Sequence, residues 1–373
     1  MTDQAGSKDT SYLSSIPPGV SHVGFLRFCV DAWASITENK NILQWIRGFH
    51  IPFSIRPSVP FVAGHTAKRS QGLDAHISEL LSMGAISKVQ ASGDQFVSPI
   101  FLVPKPGGKS RFILNLKVLN NYVTAPHFKM DDHRTLMRIL PSKFFGVTLD
   151  LQDAYYAVSI APEDRNFLCF DYDACRYSFN CLCFGLACAP YTFSKLIRPV
   201  VAALRQRNIL CLNYLDDFCF LGQSPSECSE AANQAISLLD SLGFKINFKK
   251  SVLQPSCVFR FLGFQFNSIT QNISLPMDKI VKLKSAINKF LGVRSPTIRQ
   301  AAKVIGLLIS AVPAVPYSLI HCRHLEHDRY CALMASNNNF KAHFSLSEEA
   351  RNDIHWWLKA LESPTNRFPL RFL

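Results

Sequence analysis

Two acidic residues stand side by side at Asp216 and Asp217, in the stretch ILCLNYLDDFCFLG, with apolar runs on either side. The runs read as two strands and the acids as the turn between them. Asp is common in turns, so the pair alone is also ordinary turn chemistry. In a partly desolvated setting, however, adjacent like charges repel and raise each other's pKa unless something positive lies between them. A divalent cation is the natural remedy, and hard oxygen ligands favour Mg²⁺ or Mn²⁺ over zinc. A metal held by a tight turn needs a further carboxylate from another strand. Asp150, at the end of VTLD, is the best candidate. Two ions about 3.5–4 Å apart would then activate an attacking hydroxyl and stabilise a departing pyrophosphate.

The elements that must position these acids can be read from periodicity. Ile77, Leu80 and Leu81 fall on one helical face that starts near Leu73, and Gly84 is placed to end that helix. FVSPIFLVPKPGGKSRFILNL reads as a β-hairpin whose turn holds Pro106, Gly107 and Gly108, with Lys105, Lys109 and Arg111 as a basic tip. FGVTLDLQDAYYAVSI is a strand carrying an acid, and FLCFDYDACRYSFNCLCFGL a second hairpin with DYDA at its bend. Helices are expected over 190–206, begun by a proline, and over 225–242, ended by Gly243. Two short strands, FKINF and FRFLGFQFN, come next. A helix over 277–291 places Ile280, Leu283, Ile287 and Leu291 on one side, and more helix fills 297–335 and 347–361. The N-terminal WASITENKNILQWIRGFHIPF reads as amphipathic helix and then extended chain, after a polar opening expected to be disordered. The order predicts a mixed α/β centre and an all-helical C-terminal part.

Bulk properties narrow the function. At 373 residues, 48% of them hydrophobic, the chain can bury two or three cores and is not a disordered tail. Forty Lys and Arg against 27 Asp and Glu give a charge of +13, which suits nucleic acid, and equally an anionic membrane surface or a ribosome. The 12 cysteines have no paired C-x-x-C spacing, so they read as free, buried thiols in a reducing compartment. His321, His324 and His327 recur at helical spacing and read as a solvated basic face rather than a metal site. The longest apolar run, VIGLLISAVPAVP, is too short for a bilayer and is broken by Pro313 and Pro316. No basic-then-apolar leader opens the sequence, so an intracellular protein, cytoplasmic or nuclear, without membrane partners is expected.

Six motifs follow one another in order: FVSPIFLVPKPGGKSRFILNLKVLNNY, VTLDLQDAYYAVSI, CFGLACAPYTFSK, YLDDF, LGFKINFKKS and FLGF. Together they resemble the reverse transcriptase family, from about Leu73 through the C-terminal helices. The resemblance implies an α+β right-hand polymerase, with an antiparallel palm sheet backed by helices, fingers, and a helical thumb. The expected division is an N-terminal extension over 1–72, fingers and palm over 73–275, and a thumb over 276–345. Residues 346–373 would begin a connection to a ribonuclease H domain.

The same resemblance implies roles for residues. Asp150, Asp216 and Asp217 would hold two Mg²⁺ or Mn²⁺ ions. Arg111, with Lys105 or Lys109, would lie along the triphosphate of an incoming dNTP, where charge-assisted contacts are strong. Asp153 and Ala154 would offer backbone N–H groups to the phosphates. Tyr155 would sit beneath the sugar and reject a 2′-hydroxyl. Phe184 and Gly185 would line the pocket at the templating pair, and Lys250, or its neighbour Lys249, would protonate pyrophosphate. Phe261, Leu262 and Gly263 would grip the primer.

FKMDDHRTLMRIL, SIAPEDRNFLCF and IRQAAKVIGLLISAVPAVP resemble the DIRS-type retroelements, which mobilise with a tyrosine recombinase. Departures from the wider pattern are Cys183 in the place of a proline, Phe184 in the place of a retroviral glutamine, and the additional thiols Cys188 and Cys211. The partners implied are an RNA template, a DNA primer, their hybrid and dNTPs, with ribonuclease H and recombinase domains from the same element. Only 16 residues follow Trp357, so the chain is expected not to cleave RNA and to be a polyprotein fragment or a truncated copy. An inactive nucleic-acid-binding relative is the alternative class, and a nuclease would need a further carboxylate cluster.

Overall fold

A computed structural model describes residues 21–64, 67–104, 108, 110–140, 143–363 and 367–370. The opening segment expected to be disordered, and the hairpin-tip residues Lys105, Pro106, Gly107 and Lys109, lie outside these. The chain divides into two compact units.

The first unit comprises 1–131, 149–220 and 229–253. Its five-stranded sheet runs in the order Phe61–Val62, Phe96–Val97, Cys169–Tyr172, Cys175–Phe179, Ile86–Val89. The expected DYDA bend joins the third and fourth of these, and Asp173 and Ala174 both take positive φ, as a two-residue hairpin turn requires. Ile100–Pro104 and Ser110–Leu114 pair as the expected separate hairpin. Against it lies the helix Gln71–Ser82, capped by the Ser70 hydroxyl and burying Leu73, Ile77 and Leu80. The helix Ala189–Gln206 buries Phe193, Leu196, Ile197, Val200 and Leu204 on one stripe, leaving Tyr191, Lys195 and Arg198 on another.

The N-terminal segment, nearly uninformative as sequence, is knitted into this unit. Trp33 is fully buried, stands edge-on to Phe244, and donates its indole N–H to the Leu242 carbonyl at 3.0 Å. Gly24 donates to Tyr156 O at 2.7 Å, and Phe49 to Ser159 O at 2.8 Å. The single amphipathic helix expected here is broken into Val30–Ala34 and Lys40–Arg47, the second begun afresh by an Asn39 side-chain cap.

A four-stranded sheet orders Val252–Ser256, Phe145–Asp150, Asp217–Gly222 and Leu210–Tyr214. Phe218, Cys219 and Phe220 are fully buried, which is why this strand reads as a continuous apolar run rather than an alternation. FKINF is not the strand its composition suggests. Among the described residues it is bridged at Ile246, opposite Leu151, by Gln152 N–H to Lys245 O and Asn247 N–H to Asp150 O, and then turns as Lys250 and Ser251 donate to Asn247 O.

The second unit comprises 132–148, 221–228 and 254–373. Val258–Phe261, Phe264–Asn267, Asn272–Ser274 and Arg367–Pro369 form an antiparallel sheet. The last of these strands qualifies the all-helical C-terminal expectation. The unit also contains the helices His133–Ile139, Met277–Leu291, Ile298–Ile309, Arg323–Ala335 and Glu348–Glu362. Helix over 297–335 is interrupted after Ile309, where Pro313 and Pro316 cannot donate to a helical ladder. His321 and His324 do not form a free basic face, since each places Nδ1 2.9 Å from one oxygen of the buried Asp353.

All 12 cysteines are free thiols, most of them buried, and burial pushes the Cys183 thiol up to about 12. Among the described residues no helix is long and apolar enough to cross a membrane.

Within the second unit, a Cβ built on Gly146 would lie 2.3 Å from the ring of Phe259, which is itself buried and stacked on Phe266. A ring this confined cannot move aside freely. Gly146→Ala is therefore expected to destabilise the protein by about 1–3 kcal/mol. Chemical denaturation checks this, and an unchanged midpoint would refute the close approach.

Candidate active site

Asp150 closes the strand Phe145–Asp150 and is held by its backbone on two sides. The next residue, Leu151, donates its N–H to the Asp216 carbonyl at 2.9 Å, so the strand end and the acidic turn are direct neighbours. On the other side Asn247 donates to the Asp150 carbonyl at 2.9 Å. Asp150 N–H donates to the Ser251 hydroxyl at 3.0 Å, and that hydroxyl donates to Asn247 O at 2.9 Å. The irregular FKINF segment thus serves as a clamp.

The acidic turn itself is strained. Leu215 has φ +53, a region that side chains with a Cβ rarely adopt. The Asn213 side chain spans the bend, donating to the carbonyls of Leu215 at 2.7 Å and Asp217 at 3.3 Å. Burial, then the charges of Asp216 and Asp150, push the Asp217 carboxyl up to about 6. Asp216 is also raised, first by burial and then by Asp150, against the opposing pull of Lys250 and Arg111.

Asp150 Oδ1 is buried with no hydrogen-bond partner among the described residues. Lys250 Nζ lies 3.5 Å from it, close enough for ionic attraction but outside hydrogen-bonding distance. Lys249 is exposed on the neighbouring position, so Lys250 is the one of the two beside the acids.

A buried, unsatisfied carboxylate oxygen beside two carboxyls whose charged forms are disfavoured is a site short of positive charge. These residues fit a hard divalent cation by that test. Among the described residues, no three His, Cys, Asp or Glu side chains already form a closed metal cage.

Of the three acids, Asp216 lines a cavity of about 520 Å³, with Leu151, next to Asp150, also in its wall. Arg111, Asp153, Ala154, Tyr155, Phe184, Asp216 and Lys250 all line it, so most of the residues expected to handle a nucleotide share one space. Asp153 takes φ +47 and starts the short 3₁₀ turn Ala154–Ala157. Tyr155 is buried, packing on Phe184 at 5.0 Å and Phe193 at 5.3 Å between ring centroids. Burial, then Asp216, raise its phenol pKa, which keeps the hydroxyl protonated. Arg111 stands 5.9 Å from the Phe184 ring centroid.

Gly185 is beside the cavity rather than in its wall. It has φ +104, and a Cβ there would lie 2.9 Å from the Leu114 carbonyl. Its own carbonyl accepts from the Asn120 amide at 2.8 Å. Phe261, Leu262 and Gly263 lie in the second unit, where Leu262 and Gly263 form a two-residue turn with φ +49 and +75.

Sequence reasoning missed the rim made by His76, Glu79, Leu80 and Met83. These recur at i, i+3, i+4 and i+7, a stripe that the apolar residues Ile77 and Leu81 had obscured. His76 Nε2 lies 2.9 Å from the Ser110 hydroxyl, linking this helix to the basic hairpin. Asn247 and Gln152 were missed too, because amides inside a presumed strand carry no motif.

Residues 103–266 match the family model described as "Reverse transcriptase (RNA-dependent DNA polymerase)". The genome polyprotein of Petunia vein clearing virus (isolate Shepherd) is 24% identical over 286 residues, covering 72% of this chain and 13% of the polyprotein. The Pol polyprotein of equine infectious anemia virus (isolate CL22) is 26% identical over 268 residues, covering 67% and 21%. The transposon Tf2-3 polyprotein of Schizosaccharomyces pombe is 24% identical over 226 residues, covering 59% and 16%. This chain thus spans about a fifth or less of each relative's length.

Among solved structures, the foamy viral protease-reverse transcriptase in complex with dsDNA superposes with a TM-score of 0.66 at 19% identity, covering 84% of this chain and 62% of that one. The same protein in complex with RNA/DNA hybrid gives 0.64 at 18%, covering 90% and 45%. The fold is therefore that of a right-hand polymerase, as expected.

A carboxyl whose folded pKa is raised favours the fold while protonated, and loses that contribution as pH rises through the folded value. For Asp217 the window runs from its ordinary 3.8 to about 6. Without divalent metal, melting temperature should therefore fall over that window, and Asp217→Asn should flatten the fall. Added Mn²⁺ at pH 7.5 should restore stability to the parent protein more than to the variant. Parallel melts of both proteins check this; identical pH profiles would contradict it.

Proposed function

We propose that this chain, whose residues 103–266 match the reverse transcriptase model, is an RNA-directed DNA polymerase that extends a DNA primer on an RNA template with dNTPs. The observation that carries the reading is the Leu151–Asp216 backbone bond. It sets Asp150 beside the acidic turn at the wall of a cavity that also holds Arg111, Lys250 and Tyr155.

Asp150, Asp216 and Asp217 would hold two divalent ions, Mg²⁺ or Mn²⁺, which when bound supply Lewis acidity to the attacking hydroxyl and to the phosphate. Arg111 neutralises the triphosphate from the hairpin side, and Lys105 or Lys109 would add to it from the tip. The first N–H groups of the Asp153–Ala154 turn have no earlier carbonyl of that turn to serve, which suits them to phosphate oxygens. Lys250, beside Asp150, is suited to give a proton to departing pyrophosphate. Tyr155 is wedged by Phe184 and Phe193, so its ring cannot retreat from a 2′-hydroxyl. Phe184 and Gly185 would meet the templating pair, and the 261–263 turn would grip the primer. Most of the rate would come from this positioning and electrostatic preorganisation.

Residues 73–275 would correspond to fingers and palm, 276–345 to thumb, and 346–373 to the start of a connection. FKMDDHRTLMRIL and SIAPEDRNFLCF support a finer placement with DIRS-type retroelements. On that placement, ribonuclease H and recombinase domains of the same element would be partners.

Primer extension on poly(rA)/oligo(dT) with Mg²⁺ tests the function. The protein should incorporate dNTPs, and Asp216→Asn should lower the rate by about a thousandfold or more. Hybrid binding without incorporation by the parent protein would make it a nucleic-acid-binding relative instead. Tyr155→Ala should admit ribonucleotides, seen as a lower ratio of dNTP to rNTP kcat/KM. An unchanged ratio would remove the residue from sugar selection.

A further inference from the structure

The helix Ala189–Gln206 presents Tyr191, Lys195, Arg198, Ala202 and Arg205 at alternating spacings of four and three, a single stripe opposite its buried face. Two grooves in the first unit share this stripe. One, of about 530 Å³, lies against the N-terminal helix Lys40–Arg47 and is bordered by Trp45, Asn41, Tyr191, Lys195 and Arg198. The other, of about 380 Å³, takes in Lys129, Arg198 and Arg205 and ends at Asn213 and Leu215 of the acidic turn. Arg198 and Ala202 belong to both.

The first groove has no part in the nucleotide cavity. Its aromatic rings are half-buried, Lys195 Nζ lies 5.4 Å from the Tyr191 ring centroid, and Trp45 stands edge-on to Phe49. Among the described residues neither Lys195 nor Arg198 is in an ion pair with a carboxylate, and the one acid in either groove is Asp131. Cations without counter-ions, interleaved with ring faces and an amide, are what a single strand of nucleic acid needs. The cations meet phosphates, and the rings stack bases without regard to sequence. Ile36, Ile42, Pro199 and Ala202 give the groove an apolar floor, and what favours a nucleic-acid strand over a protein is the pairing of Lys195 and Arg198 with two ring faces along one stripe.

We propose that the groove between the N-terminal helix Lys40–Arg47 and the helix Ala189–Gln206 is an outlying binding track for the single-stranded template, continuous through Arg198 with the groove that ends at the acidic turn. The inference rests on the polymerase reading and gives the N-terminal segment a second task beyond packing. Trp45 and Tyr191 stack bases, while Lys195 and Arg198 hold the phosphates between them.

The test measures binding of the full chain to fluorescently labelled single-stranded RNA of increasing length by anisotropy, across a salt series. Affinity should rise with length until a strand reaches from the turn to Trp45. Lys195→Gln with Arg198→Gln should make the slope of log K against log salt shallower by about 1.4, at roughly 0.7 per lost phosphate contact. Trp45→Ala should weaken long strands about tenfold, and Trp45→Phe should retain most of the affinity. Trp45→Phe should also keep the length dependence of the parent, which Trp45→Ala loses.

Parent-like affinity and slope in the charge variant, with Trp45→Ala also unchanged, would overturn the track even if the parent polymerises. If the parent binds strands as described and incorporates no dNTP, the polymerase reading fails and the groove stands.

Discussion

Three carboxylates are brought together where water cannot fully screen them, and much of the first unit can be understood as the means of enforcing that. Asp217 has its charged form disfavoured by burial, Asp216 and Asp150, Asp216 by burial and Asp150, and Asp150 keeps an oxygen buried with no hydrogen-bond partner among the described residues. Left alone, such a group would spread apart or take up protons. It persists because the backbone beneath it is tied. Leu151 is bonded to Asp216, Asn247 and Ser251 to Asp150, and Asn213 spans the bend at the left-handed Leu215. Strain of this sort is held in place by surroundings that over-determine it, and it is common where function needs a fixed arrangement.

The supporting layers follow from that need. The cavity floor around Asp153–Tyr156 is itself steadied from the N-terminal segment, through Gly24 to Tyr156 and Phe49 to Ser159. Trp33 anchors the same segment beneath Leu242 and Phe244, just before the 245–251 stretch that clamps Asp150. A segment outside the matched family region thus bears on two walls of the site. The cations Arg111 and Lys250 approach the acids from different elements, one from the hairpin and one from the clamp, and on the proposed reading a polyanionic substrate and its metal ions would lie between them.

Much of this was legible in the sequence, for physical reasons that differ by element. The acidic turn was readable because Asp216 and Asp217 interrupt an otherwise apolar run, and Asp150 because it terminates a strand of the same kind. The DYDA bend and the 71–82 helix followed from turn residues and period. FKINF misled because its alternation mimics a strand, while its backbone makes a single bridge, Lys245 O accepting from Gln152 and Asn247 donating to Asp150, before it turns. The His321–His324 pair misled for another reason: the acid that binds both, Asp353, lies about 30 positions away on another helix. The N-terminal contacts of Gly24 and Trp33 were invisible, since long-range backbone pairing leaves no local pattern.

The carboxylate trap is tested most directly by diffraction at the manganese absorption edge. The crystal would hold the chain with an RNA template, a dideoxy-terminated DNA primer, the next dNTP and Mn²⁺. Anomalous peaks should appear roughly 2.1 Å from carboxylate oxygens of both Asp150 and Asp216, a typical distance for a hard divalent ion on oxygen. A correctly seated nucleotide with no peak between these two residues, or with metal held only by other side chains, would contradict it.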